Sequence, residues 1–120
     1  MPELTVSIVN YKTPQLVVDC IASLKAHPPS QVSLRIAVVD NDSGDDSLAI
    51  IGRAHPDITL IDAGGNLGFA AGNNLVLRDC RSDFVLLLNS DTLVEAGTLD
   101  HMLQALQEHP EVGAVSGRVV

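Results

Sequence analysis

Apolar residues along this chain fall into two alternating kinds of run. Stretches rich in apolar and β-branched residues at 4–10, 34–39, 58–63 and 84–88 have the length of strands, and between them apolar positions recur at helical spacing. Residues 84–88 are five consecutive apolar side chains with no polar alternation, which fits a strand covered on both faces inside a parallel sheet. That strand breaks into Asn89-Ser90-Asp91-Thr92, oxygen-bearing residues poorly suited to strands. Ligands of open α/β sheets bind just outside the carboxyl ends of the strands, so Asp91 is a candidate ligand group. A turn or a helix cap explains Asp91 and Thr92 equally well.

The helices are bounded by recognisable signals. Thr13-Pro14 reads as N-cap and first turn, Leu16, Val17, Cys20, Ile21 and Leu24 form a buried face, and Pro28-Pro29 follows the end. A second helix runs through Leu48, Ile50 and Ile51, with Ser43, Asp45 and Asp46 as caps. A third spans residues 70–77 and a fourth residues 96–108, the latter stopped by His109-Pro110. Residues 112–115 read as the start of another strand, broken by Ser116-Gly117. The apolar end at Val120 reads as a cut rather than a terminus. Strands alternating with helices predict a Rossmann-like α/β sheet, mainly parallel, with helices on both faces.

Size and charge narrow the function. A chain of 120 residues makes one domain with a real core. Seven basic against fifteen acidic side chains, net −8, together with two Phe, one Tyr and no Trp, exclude a nucleic-acid surface. No apolar run approaches a membrane span and no secretory leader is present, so a cytoplasmic location is the default. Cys20 and Cys80 have no metal or disulfide spacing and read as small apolar groups within helices, and the four histidines read as surface or capping residues.

The chemistry gathers at three strand ends. These carry Asp40 and Asn41, then the glycine-rich stretch from Gly64 to Asn74, then Asn89 with Asp91. Glycines at 64, 65 and 68 permit backbone shapes closed to other residues and let a ligand approach the main chain, although neither GxGxxG nor a Walker loop is present. Gly68 and Gly72 serve close helix-to-sheet packing equally well. Hydrogen-bonding edges around an anionic middle suit a nucleoside diphosphate. With Lys12 and Lys25 the only lysines, a divalent cation, Mg²⁺ or Mn²⁺, is expected to offset the repulsion, held by Asp91 with Asn89 as a weaker companion.

These stretches resemble the inverting glycosyltransferases of family 2, which have the GT-A fold. The resemblance spans the chain through Val6-Ser7-Ile8-Val9-Asn10-Tyr11, Val38-Val39-Asp40-Asn41-Asp42-Ser43, the Asn66 to Asn74 stretch and Leu87-Leu88-Asn89-Ser90-Asp91-Thr92. The glycine-rich loop and the last motif are most similar to the rhamnosyltransferase-like branch, which builds bacterial polysaccharides from dTDP- or UDP-sugars. The resemblance implies that Ser7, Val9, Asn10, Tyr11, Asp40 and Asn41 line the base and ribose pocket. It implies that the Asn66 to Gly72 loop, with Asn66, Gly68 and Gly72, lies against the diphosphate or sugar, and that Asn89, Ser90 and Asp91 stand in the D-x-D element, with Asp91 on the metal. Asn89 replaces the first acid of that element. The family's catalytic base lies well beyond the D-x-D element, so residues 1–120 are expected to be a donor-binding part without the part that binds a glycan or lipid-linked acceptor. The full-length protein would work in the cytoplasm or at the inner face of the membrane, serving the cell envelope.

Two rivals share the architecture. A phospho-accepting receiver domain needs an acidic pair after the first strand and a late lysine, where this chain has Asn10-Tyr11-Lys12 and no lysine after Lys25. A non-catalytic nucleotide-sugar-binding module fits the same residues.

Overall fold

The computed structural model describes residues 2–41 and 46–115. Eight elements alternate: β1 (Glu3–Asn10), α1 (Pro14–Ala26), β2 (Ser33–Asp40), α2 (Ser47–Ala54), β3 (Thr59–Asp62), α3 (Gly68–Leu77), β4 (Phe84–Asn89) and α4 (Thr98–Glu108). The strands form one parallel sheet in the order β3-β2-β1-β4. The chain winds outward from β1 to β3, then crosses back through α3 to set β4 on the other side of β1. β1 and β4 therefore flank the switch point, where ligands of such sheets bind.

Alternation along β1 divides the core. Leu4, Val6 and Ile8 point into the larger cluster, where α1 contributes Val17, Cys20, Ile21 and Leu24, α2 contributes Ile51 and α4 contributes Leu99 and Leu103. Val9 faces the smaller cluster with Ala37, Val39 and Val76 of α3. Helices thus cover both faces, three on one and α3 on the other. Pro14 opens α1 with a φ suited to the first turn, and Lys25 in its last turn complements the dipole.

Several expectations need correction. Among the described residues, 84–88 are covered on one face only. Among the described residues β4 pairs only with β1, and its burial alternates, leaving Val85 39% and Leu87 47% exposed. The cause is that α3 packs over β1 and β2, while Phe84, Leu86 and Leu88 alone turn toward the larger core. Residues 112–115 form no strand; the chain turns instead, with Val112 N–H donating to the His109 carbonyl at 2.9 Å. An apolar run becomes a strand only where a ladder partner meets it. Asp46 sits at the N-cap of α2 without a side-chain cap bond, and the caps expected at Ser43 and Asp45, the Asp42 turn, Ser116-Gly117 and Val120 lie outside the described residues.

His55 caps the C-terminus of α2, its N–H donating to the Ile51 carbonyl, as the capping reading expects, but it is buried and not at the surface. Its Nε2 lies 3.1 Å from the Val18 carbonyl and its Nδ1 3.0 Å from Lys25 Nζ. Nε2–H donates to the carbonyl, so Nδ1 is left to accept from the ammonium. The same lysine holds the exposed Asp57 carboxyl below the usual carboxylate range.

Both cysteines are free, and their surroundings differ. Burial pushes the Cys20 thiol up, so it stays a neutral packing group. Cys80 lies beyond the end of α3, not within it. Burial also pulls its thiol upward, but hydrogen bonds from the Ser82 backbone and from the Thr5 and Ser82 hydroxyls outweigh this and leave it below the ordinary thiol range. Iodoacetamide at pH 8 is therefore expected to alkylate Cys80 well before Cys20 under native conditions, and peptide mapping of a time course reads the order.

Candidate functional site

The carboxyl edge of the sheet is organised by buried side-chain hydrogen bonds. Asn10, at the end of β1, is fully buried and donates through Nδ2 to Asp40 Oδ1 at 2.9 Å, across the β1–β2 ladder. Its Oδ1 accepts from both the backbone N–H and the hydroxyl of Thr13, each at 3.2 Å. Thr13 Oγ1 lies in turn 3.3 Å from Ser90 Oγ. One amide thus ties the ends of β1 and β2 to the start of α1 and to the turn after β4. This explains why Thr13 does not cap α1 with its own side chain: its hydroxyl is engaged elsewhere.

A second group holds the glycine-rich segment. Asn41 Nδ2 donates to the Gly68 carbonyl at 3.0 Å, and its Oδ1 accepts from Leu67 N–H at 3.3 Å. Gly64 and Gly68 take positive φ, 74° and 83°, as a turn that exposes its backbone requires. Behind them, a Cβ added at Gly72 would come within 3.2 Å of Val9 Cγ2 and 3.4 Å of Asn41 Nδ2, so Gly72 allows α3 to approach the sheet closely.

These anchors frame one open cleft at the switch point. Val9 and Tyr11 enter it from β1 and the residues after it, Asn41 from the end of β2, and Asn66 and Gly68 from the glycine-rich segment. Asn89, Ser90 and Asp91 close the remaining side, joined by Thr13, Leu16 and Phe69. The turn and the cleft wall are not alternatives at Asn89 to Thr92, because Thr92 Oγ1 donates to the Asn89 carbonyl at 2.7 Å while Asp91 lines the cleft. Ser7, Asn10, Asp40 and Gly72 do not line it. Ser7 and Asn10 are 0% and Asp40 6% exposed, in a layer behind the wall.

Lys12, between the lining residues Tyr11 and Thr13, is a strained element. Its φ of 59° is left-handed, which costs a side-chain-bearing residue about 1–2 kcal/mol. The conformation sets its ammonium 5.2 Å from the Tyr11 ring centroid, in cation–π range.

Charge in the cleft is sparse. Asp91 is the one carboxylate that lines it among the described residues, and no Lys or Arg does. No three His, Cys, Asp or Glu side chains among the described residues group closely enough to hold a metal ion by themselves. Asn73 had no place among the expected site residues, nor did Thr13 or Leu16, whereas Phe69 falls inside the Asn66 to Gly72 loop expected to lie against the diphosphate or sugar. For Asn73 a signal existed, since Asn within a helix is unfavourable unless its amide finds a specific bond. Its Nδ2 donates to the Phe69 carbonyl and its Oδ1 accepts from Ser7 Oγ.

A polar cleft at the switch point of a doubly wound parallel sheet defines a ligand-binding α/β domain of Rossmann-like class. The sequence profile of Glycosyl transferase family 2 matches residues 5–120, and the chain belongs to that family. A low-salt glycan biosynthesis hexosyltransferase, Agl10, of Haloferax volcanii is 30% identical over 95 residues, covering 76% of this chain and 28% of that protein. An N-acetylglucosaminyltransferase of Bradyrhizobium elkanii is 27% identical over 113 residues, covering 89% of this chain and 60% of its own. Among solved structures, the mannosyltransferase PcManGT of Pyrobaculum calidifontis, in complex with GDP-Man and Mn²⁺, superposes with a TM-score of 0.80 at 26% identity, over 88% of this chain and 32% of that one. The fold is thus the family's GT-A architecture. No helix among the described residues is long and apolar enough to cross a membrane.

Proposed function

We propose that this chain is the donor-binding part of an inverting, metal-assisted glycosyltransferase that takes a dTDP- or UDP-linked sugar. The observation that carries the reading is Asp91, the one carboxylate among the described residues that line a cleft of otherwise uncharged polar and apolar side chains at the switch point. None of the described residues that line the cleft is cationic, and Lys12, drawn over the Tyr11 ring, is one positive charge against a diphosphate, so a divalent counter-ion would offset the remainder. The residues fit a divalent cation that keeps phosphate oxygens and waters among its ligands, a role that needs only one or two protein carboxylates. Asp91 would hold it, with the Asn89 side-chain oxygen beside it. When bound, such an ion stabilises the departing diphosphate.

This chain's own residues would do the rest. Tyr11 and Val9 offer flat and apolar contact to the base and ribose. Asn66 and the Gly68 backbone present hydrogen-bonding groups to the diphosphate or sugar. Ser7, Asn10, Asp40 and Gly72 hold that wall from behind, so their contribution to the nucleotide pocket is to shape it. In the reaction the acceptor hydroxyl attacks the anomeric carbon as the bond to the diphosphate breaks, and a base supplied by residues outside these 120 takes its proton. The Asn66-Leu67-Gly68-Phe69 and Asn89-Ser90-Asp91-Thr92 motifs support the rhamnosyltransferase-like branch, with a polysaccharide or lipid-linked glycan of the bacterial envelope as acceptor, on the cytoplasmic side.

Calorimetric titration of the whole polypeptide that carries this chain with UDP, dTDP and GDP, with and without Mn²⁺, tests the reading. UDP or dTDP is expected to bind about tenfold or more tightly with the metal present, an effect of at least ~1.4 kcal/mol. Binding indifferent to metal, or absent for all three nucleotides, rejects it.

A further inference from the structure

The chain holds three aromatic rings, Tyr11, Phe69 and Phe84. Phe84 packs against the larger core. The other two are 45% and 48% exposed, and both line the same cleft. A single half-exposed phenylalanine is ordinary on a protein surface. The backbone on either side of Phe69 is not ordinary.

The Phe69 carbonyl accepts from Asn73 Nδ2 at 3.0 Å, and Asn73 Oδ1 accepts from Ser7 Oγ at 2.6 Å. On the other side, Asn41 grips Leu67 N–H and the Gly68 carbonyl. Ser7, Asn41 and Asn73 are 0%, 3% and 1% exposed, so polar side chains from three separate segments are buried to fix the peptides around this one ring. Buried amides of this kind are costly to leave unmatched and hold their partners rigidly when matched. A ring kept half in solvent by such a frame is positioned for contact with a ligand.

We propose that Phe69 is a specificity-determining contact of the cleft, stacking on a ring face of the bound donor, and that Asn41, Asn73 and Ser7 are positioning residues that aim it. The inference rests on the donor-binding reading above. The shared chemistry is a flat, weakly polar face laid on the π cloud, which either the pyrimidine or the C–H face of the transferred sugar provides.

Calorimetry on the whole polypeptide in Mn²⁺, with UDP and with UDP-GlcNAc as probes, separates the two sources. Phe69→Ala is expected to weaken UDP-GlcNAc about tenfold, the scale of one lost stacking contact, while Phe69→Tyr stays near wild type. If UDP weakens to the same degree, the ring meets the base; if only UDP-GlcNAc weakens, it meets the sugar. Equal binding by wild type and Phe69→Ala overturns this inference alone, whereas a wild type that binds neither probe nor dTDP removes the donor-binding reading and this inference with it; a wild type that binds dTDP alone is read with dTDP and its sugar conjugate as the probe pair. For the positioning residues, Phe69→Ala should add little to the loss already caused by Asn73→Ala, a coupling that a purely structural role would not produce. Additive losses reject the relay. Ser7→Ala replaces Asn73→Ala in that cycle should the latter melt below the assay temperature.

Discussion

Asp91→Ala is expected to reduce turnover of the whole enzyme by about 10²–10³-fold, the scale seen when a group that stabilises charge developing in a transition state is removed. The loss should fall on the metal-dependent part of the reaction. Asp91 is exposed and lines the cleft, so its removal leaves no unmatched buried partner and the melting temperature should hardly change. A Mn²⁺ titration of activity should show saturation moved to higher concentration or lost. Turnover above about a tenth of wild type would instead favour a module that binds nucleotide sugar without acting on it, because one lost tenfold corresponds to only ~1.4 kcal/mol of barrier.

The second large effect is on stability. Asn10→Ala removes a fully buried amide that donates to the buried Asp40 carboxylate and accepts twice from Thr13. Hydrogen bonds to charged groups contribute about 1.5–3 kcal/mol, and the loss of the Thr13 contacts adds to that. For a domain of this size, ~2–3 kcal/mol lowers the melting temperature by roughly 10 °C. Calorimetric melting of the variant checks the figure, and a drop of less than about 3 °C would show that the amide is not a keystone of the edge. Thr13 also touches Ser90, so the same variant should weaken nucleotide binding through the turn beyond β4.

Much of the architecture was legible from residue order alone. Apolar runs of strand length alternating with helical spacing define a parallel α/β sheet, and Pro14 and Pro110 mark helix limits within a residue or two. What could not be read was coverage. Five apolar residues in a row look the same in a strand buried on both faces and in one at the margin, since periodicity reports neither neighbours nor layers. The cleft was legible in part. Asn66, Gly68, Asn89, Ser90 and Asp91 stand out because glycine and oxygen-bearing residues collect where strands end, and these residues do line it. Ser7, Asn10 and Asp40 carry the same kinds of atoms but spend them inward, on Asn73, on Thr13 and on each other, a distinction that depends on tertiary neighbours. His55 was legible as the cap of α2 but not as a buried group, since only tertiary folding brings Val18 and Lys25 against its ring.

The register of β1 against β4 has a consequence for synthesis. Val9 pairs with Asn89, and Leu4 with Phe84, so two strands that flank the switch point side by side are separated in sequence by the whole of β2, β3 and the three helices between. A nascent chain leaving the ribosome can fold β1, β2 and β3 with their helices while the fourth strand is still in the exit tunnel, yet it has no ligand pocket until that strand emerges and docks. Competence for nucleotide would therefore arrive in one step, and donor present in the cell could favour docking of the fourth strand only after residue 91 is free of the tunnel.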